Sequence, residues 1–119
     1  MRRLLLTVTA LALAVAIPSV AIGHDADPKT YKVNVSDNAF TPTKRTIHIK
    51  DIVKFVWVGE NGRAGETINE HTIVESKDRF QSKPKLKGTF SYRFKKAGKF
   101  TIFCAEHDDE MKLTVKVKE

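Results

Sequence analysis

Phe100-Thr101-Ile102-Phe103-Cys104-Ala105-Glu106-His107-Asp108-Asp109-Glu110-Met111 passes from an apolar, strand-like run into an acidic loop. It carries the one cysteine of the chain, and a thiol, an imidazole and a thioether (Cys104, His107 and Met111) fall within eight residues of each other. Cys104 falls at the end of the predicted strand, where a sheet would fix its position. His107 and Met111 follow in a loop that can bring both side chains back over the same point. A last strand, from Leu113, anchors the far end of that loop. Upstream, His71 begins a second short apolar run, His71 to Val74.

The chain around this stretch reads as a succession of strands. Tyr31, Val33 and Val35 alternate with Lys32, Asn34 and Ser36, a period of two. Asp37-Asn38 marks a turn, and Phe40 with Pro42 a buried bend. Ile47 and Ile49 alternate with Thr46, His48 and Lys50. Ile52 to Val58 is nearly continuous in apolar residues, with Val53, Phe55 and Trp57 predicted to face the core. A glycine-punctuated loop follows from Gly59 to Glu66, and Gln81 to Lys87 reads as an irregular polar connection. Phe90, Tyr92 and Phe94 alternate, Ala97-Gly98 turns the chain, and Leu113, Val115 and Val117 form the closing strand. Tyr92, Phe94, Phe100 and Phe103 are read most simply as core, with the alternative that Phe103, directly before Cys104, lines the exit side of that strand. Seven or eight short strands with no helical stripe predict an all-β fold, an antiparallel Greek-key β-sandwich or barrel.

The first 23 residues are read as a secretory signal peptide. Arg2 and Arg3 precede an apolar core from Leu4 to Ile17, and Pro18 breaks the segment before small residues. Cleavage fits after Ala21 or after Gly23, and the apolar core is short for a membrane span, so no stable membrane insertion is expected after it. Residues 24–119 then form one domain, exported and expected in the periplasm. Loss of Arg2 and Arg3 takes the formal charge from +7 to about +5. The excess is dispersed lysine (Lys83, Lys85, Lys87, Lys95, Lys96, Lys99), with no basic helix or aromatic platform, so nucleic-acid binding is not expected. A lone cysteine in an exported chain has no internal disulfide partner, and metal ligation protects a thiol that would otherwise oxidise.

Two imidazoles, a thiolate and a weak axial thioether are the donors of a blue-copper site, which assigns His71, Cys104, His107 and Met111 as candidate metal ligands and copper as the expected cofactor. Zinc accepts similar donors. If Met111 does not bind, the axial place is open or falls to an oxygen donor from Glu60, Glu66 or Glu70. Glu106, Asp108, Asp109 and Glu110 surround His107 with negative charge. Near a metal they would favour the more highly charged ion, and at the surface they would orient a basic partner; the alternative is a solvated loop that keeps the site open to water. His48 alternates out of the Ile47/Ile49 face and is expected at the surface. Cleavage after Gly23 would place a free amine beside the His24 imidazole, a chelate for cupric ion that needs a further histidine, for which His48 is the spare.

His71-Thr72-Ile73-Val74, followed by Phe100-Thr-Ile-Phe-Cys104-Ala-Glu-His107 and Met111, resembles the cupredoxin family of plastocyanin, pseudoazurin and amicyanin type. Phe40-Thr41-Pro42 and the run from Lys50 to Phe55 resemble the early strands of that family, so the likeness covers most of residues 30–118. It implies a β-sandwich, one copper ion cycling between Cu(I) and Cu(II), the ligands His71, Cys104, His107 and Met111, and one-electron shuttling between redox proteins. Expected partners are a cytochrome or a copper enzyme, met through the loop around His107. The chain departs from the pattern in having Leu113 where many relatives have glycine, and in a longer segment from Gly59 to Glu70. No enzymatic activity is expected on this reading. The alternatives are a copper carrier or storage protein, and a catalytic mononuclear site with an open axial position, as in the red-copper relative of the family.

Overall fold

The computed structural model describes residues 27–107 and 110–119. The predicted signal peptide and His24 lie outside these residues, as do Asp108 and Asp109. Among the described residues there are eight strands and no helix: β1 (Thr30–Val35), β2 (Phe40–Thr41), β3 (Lys44–His48), β4 (Ile52–Trp57), β5 (Ile73–Glu75), β6 (Thr89–Arg93), β7 (Gly98–Cys104) and β8 (Lys112–Lys118). They form two four-stranded sheets, ordered β2-β1-β4-β6 and β3-β8-β7-β5. The all-β sandwich expected from the period-two pattern is present.

The expected antiparallel pairing needs correction. β1 runs parallel to β4 and β3 parallel to β8, while the other pairs are antiparallel. Parallel neighbours need a crossover. β1 and β4 obtain theirs because the chain leaves the first sheet after β2, lays down β3 in the second, and returns. Alternation reports which face a residue occupies and carries no information on the direction of its neighbour.

The core lies between the sheets. Val33 and Val35 of β1, Val53, Phe55 and Trp57 of β4, Ile102 of β7, and Leu113, Val115 and Val117 of β8 are buried, as period two requires. Phe40 is also buried, and its ring meets that of Phe55 edge-on at 5.9 Å. Phe103 departs from expectation. It stands between Val74 and Lys112 in the ladder, half-buried and outside the core cluster, because it alternates with Ile102 and Cys104.

The open flank between β5 and β6 is filled by the turn after β5. Phe80 stacks on Tyr92 at 3.8 Å and meets Phe94 edge-on at 5.7 Å. The polar segment after it is held in place rather than loose. Trp57 donates its Nε1–H to the Lys85 carbonyl (2.9 Å), and the Ile73 N–H donates to Ser82 Oγ (2.8 Å). Gly98, with a φ of 142°, occupies backbone space open to glycine at the Ala97-Gly98 turn, and β7 starts there. At the opposite corner, buried Asp51 accepts from the Lys29 N–H (2.9 Å) and the His48 N–H (2.8 Å), tying the start of β1 to the β3–β4 turn.

Glu75 is the unexpected core residue. It sits opposite Ile102 with its side chain fully buried, and accepts from Arg79 Nη2 (2.5 Å) and the Lys77 N–H (2.9 Å). The Arg79 guanidinium lies over the Phe100 ring, 4.1 Å from its centre. The Arg79 hydrogen bond, opposed by burial, brings the Glu75 carboxyl from 4.5 down to about 2. A carboxyl lowered on folding stabilises the fold above its unfolded pKa, and that stabilisation is lost as pH falls through the folded value. Glu75→Gln should therefore cost on the order of 3 kcal/mol at pH 7 and flatten the loss of stability between pH 4.5 and about 2. Denaturant unfolding of both proteins across that range measures it, and parallel profiles would refute the assignment.

Candidate metal centre

The centre is built at one end of the second sheet. Cys104 closes β7 and pairs with Ile73 of β5, so the residues just before Ile73 are brought to the same end. His71 lies two residues before β5 rather than within a strand. It is held by reciprocal backbone bonds with Lys85, His71 N–H to Lys85 O at 3.0 Å and Lys85 N–H to His71 O at 3.1 Å. On the other side, the Cys104 N–H donates to the Met111 carbonyl (3.2 Å), the Met111 N–H to the His107 carbonyl (2.9 Å), and the His107 N–H to the Cys104 carbonyl (3.1 Å). The loop that carries His107 is thereby folded back onto the strand end.

The result is a convergence of donors. One ligand atom from each of His71, Cys104 and His107 lies within 4.8 Å of the others. His71 Nδ1 is 3.4 Å and His107 Nδ1 3.9 Å from Cys104 Sγ. The two imidazoles are tilted at 36° with centres 5.2 Å apart. His71 and Cys104 are fully buried, whereas His107 is half-buried and reaches the surface. Met111 is buried in the core cluster beside them in sequence and backbone bonding. Two imidazole nitrogens and a cysteine sulfur, which binds a metal as its thiolate, fit a soft or borderline cation such as copper.

Two carboxylates border this cluster, and neither role was evident in the sequence. Glu106 accepts from the Thr72 hydroxyl (2.7 Å), the Thr72 N–H (2.9 Å) and the Cys104 thiol (3.2 Å). Partial desolvation works to raise its carboxyl, but the Thr72 hydroxyl and the Cys104 thiol outweigh that and the net direction is down. Asp37, read in sequence as a turn residue, stands against His71 with Oδ1 3.3 Å from Nε2. It also accepts from the Asn69 N–H (2.9 Å) and the Ile68 N–H (3.0 Å), and these backbone bonds, Asn69 first, lower its carboxyl. Burial, foremost, pushes the Cys104 thiol up.

Other candidates fall away. Glu60, Glu66 and Glu70 are exposed and take no part in the cluster among the described residues, whereas Glu106 supplies the carboxylate nearest to Cys104. His48 is exposed and paired with Lys118, six residues along β8 from the strand end that meets Phe103, about 20 Å away.

No family model matches the chain, and no curated protein matches it in sequence. Solved structures do match in fold. A reduced mutant of amicyanin is 16% identical, with 78% of this chain and 85% of that chain covered and a TM-score of 0.61. Oxidised plastocyanin from Dryopteris crassirhizoma is 25% identical over 74% of this chain and all (100%) of that one, at a TM-score of 0.55. A Cu-containing nitrite reductase from Thermus scotoductus is 22% identical at a TM-score of 0.60, over 77% of this chain. The chain spans 22% of the length of that reductase.

Burial and a raised thiol pKa predict that Cys104 is unreactive in the metal-free protein. Iodoacetamide at pH 8 should alkylate it at least about tenfold more slowly than free cysteine, measured by mass spectrometry. Alkylation at the free-cysteine rate would contradict the buried placement.

Proposed function

From a chain with the cupredoxin-like fold, we propose an exported blue copper protein, periplasmic in location, that carries single electrons between redox proteins. The observation that supports this most is the convergence of His71, Cys104 and His107 at one end of the sandwich. On this reading those three side chains would hold the metal, with the Met111 thioether as a fourth, weaker donor. Copper bound there would supply one-electron cycling between Cu(I) and Cu(II). The sandwich holds the donors in place through strand register and backbone bonds, so little has to move when charge changes.

The two histidines divide the work. His71 is enclosed and anchors the site, while the half-buried ring of His107 is the point nearest solvent and so the exit toward a partner. Glu106 and Glu110 flank it, with Asp108 and Asp109 between His107 and Glu110 in sequence. Such an edge suits a partner with basic residues around its own redox group, a cytochrome or a copper enzyme. The benefit is to encounter rate more than to affinity, and it weakens as salt rises.

Two measurements test the reading. The oxidised, copper-loaded protein should absorb intensely in the orange-red, with an EPR spectrum of a cupric ion bound to thiolate; a colourless or weakly absorbing copper form would sink the proposal and favour a carrier of copper as cargo. Met111→Leu should raise the reduction potential by at least about 59 mV, a tenfold change in relative affinity for the two oxidation states. An unchanged potential would remove Met111 from the ligand set.

A further inference from the structure

Asp37 lies in the turn between β1 and β2, in the sheet that does not contain Cys104, yet its carboxylate reaches the enclosed histidine of the centre. We infer that Asp37 is a positioning residue for the metal site: it fixes the tautomer and orientation of His71 before metal arrives and supplies a fixed negative charge that favours the more oxidised ion. This rests on the reading of a copper site given above.

A carboxylate can only accept, so the His71 nitrogen facing it, Nε2, carries the proton and donates to Asp37 Oδ1 at 3.3 Å. The other nitrogen, Nδ1, is then left with its lone pair directed at the Cys104 side, 3.4 Å from Sγ. The His71 ring is fully buried, so bulk water offers no competing partner for Nε2. Metal-binding imidazoles are commonly backed in this way, because the bond to the second nitrogen sets the ring orientation and raises the basicity of the first.

The carboxylate is itself held. Asp37 Oδ2 accepts from the Ile68 N–H and Oδ1 from the Asn69 N–H, the residues three and two positions before His71. One side chain from the first sheet therefore clamps both the segment leading into the histidine and the histidine ring. Its side chain is 22% exposed, so its charge is only partly screened by water, and the distance to the ring leaves it within one residue of the metal donors. Attraction to a doubly charged ion exceeds attraction to a singly charged one at any fixed distance, which sets the direction of the effect.

The test has an arm that needs no metal. Long-range proton–nitrogen NMR of the metal-free protein should find the neutral His71 ring protonated at Nε2 and bare at Nδ1; the opposite tautomer, with its proton on Nδ1 and none on Nε2, would overturn the inference whatever copper does. In the second arm, Asp37→Asn should reduce the ratio of Cu(II) to Cu(I) affinity about tenfold, which raises the potential by about 59 mV. Thr67→Val serves as the control. It removes the Thr67 hydroxyl bonds to the Asn69 and Leu86 carbonyls and loosens the same loop while keeping the Asp37 charge, so its ratio should stay within threefold of the parent. Equal shifts in the two variants, or none in Asp37→Asn, would reduce Asp37 to a loop clamp. A parent protein that fails to form an intensely coloured copper complex would refute the electron-carrier reading, while the NMR result would still decide the tautomer.

Discussion

The pairing of Ile73 with Cys104 is the contact on which the centre depends. Side chains in a strand alternate faces, so a slip of one residue between β5 and β7 would turn the thiol out of the core. The same pairing carries His71 to the strand end. From the opposite side the β7–β8 ladder ends at Phe103 and Lys112, and the Cys104 N–H to Met111 carbonyl bond closes the loop between them. Cys104 is thus fixed from both neighbours, and the loop holding His107 is short because both of its ends are pinned.

A second theme is the local inversion of charge. The chain carries a formal +7, yet the side chains that touch the donors are carboxylates, Asp37 at His71 and Glu106 at Cys104. Each is held by backbone N–H groups as well as by the donor it faces. Dispersed surface lysines are screened over about 8 Å in physiological salt, while fixed charges in contact with partly desolvated donors are not. The electrostatics of the site therefore follow from a few hydrogen-bonded neighbours rather than from net charge.

Much of this was legible in the linear sequence. The alternation in 31–35, 47–49 and 113–117 gave the strands and the inward faces, and Cys104-x-x-His107 after an apolar run gave the heart of the cluster. What was not legible depends on pairing across space. Nothing in period two says that β1 lies parallel to β4, or that Asp37 meets a histidine 34 positions away. Glu106 was readable as a nearby charge, but its bonds to Thr72 follow from two loops meeting at a strand end. Glu75 drew no reading from the sequence, and its place in the core depends on Arg79, four positions on, pairing with it. Phe103 looked like core by composition, and its place on the outer face follows from the register of Cys104.

Strand register and backbone bonds fix the positions of Cys104, His71 and His107. A pocket of that kind does not discriminate by folding around one metal. As a metal site it would offer the same three donors to whichever suitable cation arrives, and ions of the later first row bind such donors with affinities that reflect their own chemistry. Selection then passes from the protein to its surroundings: which ion is present and available when the pocket is empty. A metal held there would have His71 on its enclosed side and the half-buried His107 on its open edge. On the copper reading, the fixed geometry that would limit movement between oxidation states would equally leave the pocket open to the wrong metal.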